Sequence, residues 1–452
     1  MKVIATKPAL VSPRSERSQP ALVGISRLDF AETYDRLNHN VFRYPAKFHP
    51  PVARALVEQF SAAGETVLDP FCGSGTTLVE ALVAGRHVVG TDVDPLAVFV
   101  SSAKIRRLDY DRIDEAVERI RARVEAMREA DAALWGGFDR DISQADLTAA
   151  IDPLSAQVPA LPRMEHWFRR RVVLQLAALR KFIAGQRDPH VRSLLELCFA
   201  SIVRNSSNAD PVPVSGLEVT SHMKRKEEAG RVIDPYALLR LALTKSAPAM
   251  RSLGEARAPN HGGRAALADA RQLSARGTGR VDCVVTSPPY LTAVDYYRRH
   301  TLEMYWLGLT SGPAERRGIM PRYIGRDRVG MNHVGKDGGH GSRVARRRLP
   351  AFGDIKPDRA RAFQHYCSGM DQVLQRMAEI VRPGGNIVFV VGDVRFCGSP
   401  VSMVELLQEI ADPQLALVER LWYPLANRYM SYSRKNEADI NADHVLVFRR
   451  KH

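Results

Sequence analysis

The stretch from Glu65 to Pro95, "ETVLDPFCGSGTTLVEALVAGRHVVGTDVDP", constrains the fold more than any other part of the chain. A β-branched apolar run predicts a strand over Thr66 to Asp69. The glycines of "CGSG" then break the regular backbone, and the apolar run from about Thr76 to Ala84 predicts a helix that Gly85 stops. A second strand follows over His87 to Asp92. Two strands joined through one helix make a unit of a parallel α/β sheet, so the fold class is α/β.

Strand-like runs resume at "AALADARQL", "VDCVVTSPPY", "NIVFVVGDV" and "EADINADHVLVFRR". "CSGMDQVLQRMAEIV" predicts a helix and "RPGG" a turn before the third of these. Between 108 and 262 the texture is helical. Ile113, Val117, Ile120, Val124 and Met127 recur at helical spacing, and "WFRRRVVLQLAALRKFIAG" and "VRSLLELCFASIVRNSS" predict two further helices. The expected division is a loose leader over 1–38, a catalytic domain over 39–107 and 263–452, and a helical insertion over 108–262. Within the catalytic domain, 311–350 is crowded with Gly and Arg and is expected to be a long mobile loop.

The chain carries a formal charge of +15, which favours a polyanionic partner. No run is apolar enough for a membrane helix, and the N-terminus has no sustained apolar run of the kind a secretory signal needs. The five cysteines are scattered, without metal-ligand spacing, which suits a reducing cytoplasm. No metal site is expected.

Two motifs carry chemistry. In "DPFCGSGTT", Gly73 and Gly75 let the backbone turn tightly against a ligand, and the helix behind offers free N–H groups. No lysine follows at phosphate-loop spacing, so a triphosphate cradle is not expected. Asp92 ends the next strand, where an acid takes ribose hydroxyls in nucleotide-binding folds; Asp94, just beyond, competes for that role. In "VVTSPPY", Pro288 and Pro289 remove two donors and leave carbonyl acceptors around Ser287, a set suited to holding an exocyclic amino group. Tyr290 offers a face on which a base can stack. Either motif alone is also compatible with a plain structural turn.

Together, "DPFCGSGTT…GTDVDP" and "ADARQL…VDCVVTSPPY" resemble the S-adenosylmethionine-dependent DNA amino-methyltransferase family, of the N4-cytosine/N6-adenine type. The resemblance covers about 40–105, 263–300 and 370–450 and implies a Rossmann-like class I methyltransferase sheet. It implies a cofactor loop of Asp69, Phe71, Gly73 and Gly75, with Asp92 on the ribose and Asp269 on the adenine amino group. "FRYPAKFHP" is similar to the family segment that closes over the methionine end, which brings in Lys47 and Phe48. Ser287, Pro288, Pro289 and Tyr290 would form the catalytic pocket. The serine points to cytosine N4, with adenine N6 as the alternative.

The implied partner is double-stranded DNA, with the target base flipped out of the helix. Arg316, Arg317, Arg322, Arg343, Arg346 and Arg347 are the candidate phosphate contacts, and the insertion is the candidate target-recognition region. An RNA or protein-amide methyltransferase and a catalytically silent nucleic-acid binder are the rival readings. The long insertion, and a cofactor motif that precedes the catalytic one, depart from many serine-type members.

Overall fold

A computed structural model of the chain describes residues 25–30, 37–211, 216–291, 295–329, 342–425 and 442–451. Its centre is an eight-stranded sheet built from β1 (Ile25–Arg27), β2 (Thr66–Asp69), β3 (His87–Asp92), β4 (Gly263–Leu267), β5 (Val281–Thr286), β6 (Val381–Val391), β9 (Leu415–Pro424) and β10 (Ala442–Arg450). The spatial order is β1-β9-β10-β6-β5-β2-β3-β4. Strands β4, β3, β2, β5 and β6 run parallel, while β10 enters antiparallel between β6 and β9. A short hairpin, β7 (Val394–Phe396) and β8 (Ser399–Val401), stands apart.

The chain leaves β2 for β3 and β4 on one side, then returns to build β5 and β6 on the other. The order therefore reverses between β2 and β5, and ligands of such sheets bind at the carboxyl ends of the strands where this happens. This is a Rossmann-like α/β sheet, recognised by its strand order.

The central strands are buried on both faces, as parallel sheets require. Val67, Leu68, Val284 and Val285 are fully buried. Helices α1 (Pro50–Phe60) and α2 (Thr76–Val83) cover one face; α16 (Pro357–Ile380) and α17 (Met403–Ala411) cover the other. A third apolar cluster lies in a helical layer of α4 (Tyr110–Trp135), α5 (Gln144–Ile151), α6 (Met164–Trp167), α7 (Arg170–Ala184), α8 (Pro189–Val203), α9 (Ser221–Glu228) and α10 (Pro235–Ala256). Helix α3 (Pro95–Ile105) joins this layer to the sheet through Leu96, Ala97 and Val100.

Three elements differ from the sequence reading. Helix α16 begins ten residues before "CSGMDQ", because Ala362, Phe363 and Tyr366 are buried in turns whose other residues are charged. "RPGG" lies within β6, whose pairing with β5 shifts register beside it, so it makes an irregularity rather than a turn. The basic segment 311–350 is not one loop. It holds α14 (Pro313–Ile319) and α15 (Arg343–Arg348), anchored by buried Ile319 and by buried Val344 and Ala345; residues 330–341 lie outside the described residues. Among the described residues no helix is long and apolar enough to cross a membrane.

Candidate active site

The Gly-rich turn leaves β2 at Asp69, whose buried Oδ1 accepts from the Phe71 amide at 3.1 Å and from the Thr286 hydroxyl at 2.6 Å. Thr286 is the last residue of β5, so this bond ties the Gly-rich turn to the strand that carries Ser287. Burial pushes the Asp69 carboxyl up to about 6, and the Thr286 and Phe71 hydrogen bonds oppose the shift. Gly75 caps α2 at φ +79, and a Cβ there would stand 2.9 Å from Ser101 Cβ. Only glycine satisfies both the left-handed backbone and the packing against α3.

Asp92 closes the turn from the other side. Its carboxylate accepts from the Gly73 amide and the Asp94 amide, both at 2.9 Å. Burial, and then the charge of Asp94, push it up to about 7. Asp94 Oδ1 caps α3 through Leu96 and Ala97, while both carboxylate oxygens of Asp92 accept from backbone amides at the strand end.

Around these acids stands a group of aromatic residues that sequence reasoning missed. Tyr44 stacks on Tyr296 at 5.6 Å and lies 4.9 Å from the ring of His300. A Cβ on Gly73 would touch Tyr44 at 3.4 Å. Tyr323 joins them; burial, and then the charges of Asp94 and Asp92, drive its phenol well up. Tyr44 alone had a signal, since it lies inside "FRYPAKFHP".

At the end of β5, the Tyr290 phenol is pushed up by burial and held by three neighbours. Its oxygen meets the Gly392 backbone, the Ser287 side chain and the Asp443 carboxylate. Tyr423 donates to the other side of Asp443 at 3.0 Å. Asp443 and Tyr423 are cross-strand partners on β10 and β9, which no local signal connects to Tyr290.

Several expected site residues have partners within the fold. Lys47 Nζ is spent on the His39 carbonyl and Asn40 Oδ1, each at 2.9 Å, and Phe48 packs into the core under α1, so Tyr44 is the member of that segment facing the Gly-rich turn. Asp269 is buried against Arg271, which donates to it from Nε at 3.0 Å and from Nη2 at 2.7 Å.

The six arginines divide between two places. Arg316 pairs with Asp295 at 3.3 Å and covers the Tyr297 ring, with exposed Arg317 and Arg322 near it on or after α14. Arg343, Arg346 and Arg347 are on α15, where Arg347 is engaged by Glu409 of α17. The basic, tyrosine-bearing "NRYMSYSRKN", read as a possible cleft lining, lies outside the described residues.

A family model described as DNA methylase, of the N6/N4 methyltransferase type, matches residues 14–100, the part that holds Tyr44, the Gly-rich turn and Asp92. Residues 14–100 are thus similar to the DNA amino-methyltransferase family. The chain is 27% identical over 175 residues to the Type II methyltransferase M.MvaI of Kocuria varians, covering 38% of this chain and 35% of that protein. To the Type II methyltransferase M.BsoBI of Geobacillus stearothermophilus it is 23% identical over 302 residues, 60% of this chain and 53% of the relative. It is also 37% identical over 89 residues to a tRNA (guanine(10)-N2)-dimethyltransferase of Methanothermobacter thermautotrophicus, 20% of this chain and 26% of that protein. The chain thus spans about half or less of the length of these curated relatives. The family match ends at residue 100, before the helical layer and the Ser287–Tyr290 turn.

Proposed function

We propose that this chain transfers the methyl group of S-adenosylmethionine to the exocyclic amino nitrogen of a base flipped out of duplex DNA, with cytosine N4 preferred to adenine N6. The observation that carries the reading is the junction at the β2/β5 switch point. There the Thr286–Asp69 bond holds the Gly-rich turn and the Ser287–Tyr290 turn side by side.

The residues present fit such a cofactor. Half-buried Asp92 stands close enough to buried Asp94 for the charge of Asp94 to raise its proton affinity, a setting that favours a cationic ligand. Stacked Tyr44 and Tyr296 offer aromatic surface to a nucleoside or sulfonium. The cofactor, when bound, supplies an electrophilic methyl whose leaving thioether is neutral. Gly73 and Gly75 shape its cradle and Asp92 takes the ribose hydroxyls.

The Ser287 hydroxyl and the carbonyls of the proline turn accept from the amino group, drawing its lone pair out of conjugation. Tyr290, held at its hydroxyl, presents its ring to the base. Cys283 takes no part as a nucleophile: it is fully buried inside β5, and burial drives its thiol well up. The helical layer over 108–262 would read the target sequence, and the exposed arginines after the catalytic turn would grip phosphates.

The test is incubation with labelled S-adenosylmethionine and unmethylated duplex DNA, followed by digestion and mass identification of the nucleoside. N4-methylcytosine is expected. N6-methyladenine would keep the mechanism and overturn the choice of base. The relative named as a tRNA (guanine(10)-N2)-dimethyltransferase favours one second reading, a base-amino methyltransferase of RNA. Structured RNA in the same assay decides it. A protein that binds cofactor but methylates neither polymer would be a silent binder.

A further inference from the structure

Three arginines converge on a small cavity beside the helical layer. Arg43 reaches it from the segment before the Gly-rich turn, Arg204 from the C-terminal end of α8, and Arg299 from α12 (Tyr296–Arg299), which follows the catalytic turn. One acid, Glu303, shares the lining, and its Oε1 accepts from Arg204 Nε at 3.3 Å. Three guanidinium groups against one carboxylate leave two positive charges unanswered within the lining. Their crowding has a cost: burial, and then the charges of Arg204 and Arg43, push the Arg299 guanidinium down to about 10.

Arg204 also has an open donor. It is 8% exposed, and its Nη1 donates to the Asp210 carbonyl at 3.1 Å, but its Nη2 has no hydrogen-bond partner among the described residues. A buried guanidinium with N–H left over, standing among like charges, suits an oxyanion. The cavity measures about 30 Å³, room for about two water-sized atoms. A whole nucleotide does not fit. What fits is an oxygen of an anion whose bulk stays outside, where Arg43 is exposed.

The place of the cavity favours a polymer backbone over a free ion. Arg43 immediately precedes Tyr44 and Arg299 immediately precedes His300, and those two rings lie 4.9 Å apart. Arg204 belongs to the helical layer. The site therefore sits where the helical layer meets the segments on either side of the reaction centre. A strand that delivers a base to the Ser287–Tyr290 turn must pass its sugar-phosphate chain close by, and the chain's charge of +15 draws such a polyanion in.

We infer that Arg43, Arg204 and Arg299 hold one phosphate of the DNA strand that carries the flipped base, with a phosphate oxygen seated in the cavity. This rests on the DNA methyltransferase reading above. It adds to the exposed arginines of α14 and α15 a contact that is built into the fold from three separate segments.

The experiment is anisotropy titration of labelled duplex DNA across a salt series, with the full chain, Arg43→Gln, Arg299→Gln and the double variant. Arg204 is left intact because its bonds to Glu303 and Asp210 hold the fold. The double variant should bind about 10-fold more weakly, the effect of losing hydrogen bonds to a charged group. The slope of log affinity against log salt should fall by about 0.9 in the double variant, the share of a single phosphate. Affinity for S-adenosylhomocysteine, measured by calorimetry, should stay within about twofold, since no cofactor contact is removed. An unchanged slope would overturn the assignment. A fall of about 1.8 would also overturn it, because the two arginines would then serve separate phosphates. A matching loss of S-adenosylhomocysteine affinity would overturn it in favour of a contact to the cofactor. Phosphate replacing chloride at equal ionic strength should weaken duplex binding equally in wild type and double variant; a loss confined to wild type would mark a free-phosphate site and overturn the assignment. A slope lost on structured RNA but kept on duplex DNA would overturn the choice of DNA. Wild-type protein that binds no duplex at any salt would instead overturn the DNA methyltransferase reading itself.

Discussion

Thr286 donates its hydroxyl to Asp69 Oδ1 at 2.6 Å, joining the ends of two neighbouring parallel strands that are 217 residues apart in sequence. One strand end opens the Gly-rich turn and the other opens the Ser287–Tyr290 turn. Their separation in space is therefore set by a buried hydrogen bond between side chains, backed by β2–β5 pairing at Val67–Cys283 and Leu68–Val284.

Thr286→Val keeps the shape and the β-branching but leaves Asp69 Oδ1 with one donor fewer. We expect a loss of about 1–3 kcal/mol in denaturant unfolding. Methyl transfer should fall further than stability predicts, because both turns lose their common reference. Unaltered kcat in a destabilised variant would show that the bond serves folding alone.

Buried Asp69 and half-buried Asp92 make stability depend on pH. Asp69 and Asp92 titrate near 6 and 7 in the folded chain, against 3.8 when unperturbed. Below about pH 4 both states hold these protons. As pH rises the unfolded chain releases them first, so their contribution to stability is lost through pH 6 and 7. The cofactor-free protein should melt at a lower temperature at pH 8 than at pH 5. Asp92→Asn should flatten the upper part of that slope, and an unchanged slope would argue that Asp92 is not buried.

Gly75→Ala and Gly136→Ala form a matched pair. Both glycines have positive φ, +79 and +70, but an added Cβ meets Ser101 at 2.9 Å in the first and nothing within 4 Å in the second. Gly136→Ala should cost about 1 kcal/mol for the backbone alone. Gly75→Ala should cost about 1–3 kcal/mol and weaken cofactor binding, since α3 must move. Equal unfolding free energies would mean that the contact relaxes freely.

Tyr290→Ala should reduce DNA methylation about 10- to 100-fold, the worth of one stacked base, while affinity for S-adenosylhomocysteine holds. Tyr290→Phe keeps the ring and loses the anchor to Asp443 and Gly392, so a smaller fall is expected, matched by Asp443→Asn. If Phe and Ala at this position are equally inactive in steady-state assays, the hydroxyl matters more than the ring face.

What the sequence determined by itself is local. The unit Thr66–Asp92 folds as its residues read, because strand, turn and helix signals there fall within thirty residues and agree with one another. The places of Asp92, Gly73 and Ser287 in the fold were legible for the same reason: each stands at a strand end or a glycine turn that its neighbours announce. Tertiary structure decided the rest. Tyr44, Asp94, Tyr296, His300 and Tyr323 meet around one point from distant segments, and nothing in any one segment marks them as partners. Asp443 reaches Tyr290 only because β10 inserts antiparallel beside β6. Asp269 pairs with Arg271, two residues on, whose guanidinium folds back onto it with both side chains buried. Periodicity and turn chemistry report how each segment meets its own backbone. Which side chains end up facing one another in a buried site depends on strand order and on desolvation, and both belong to the assembled sheet.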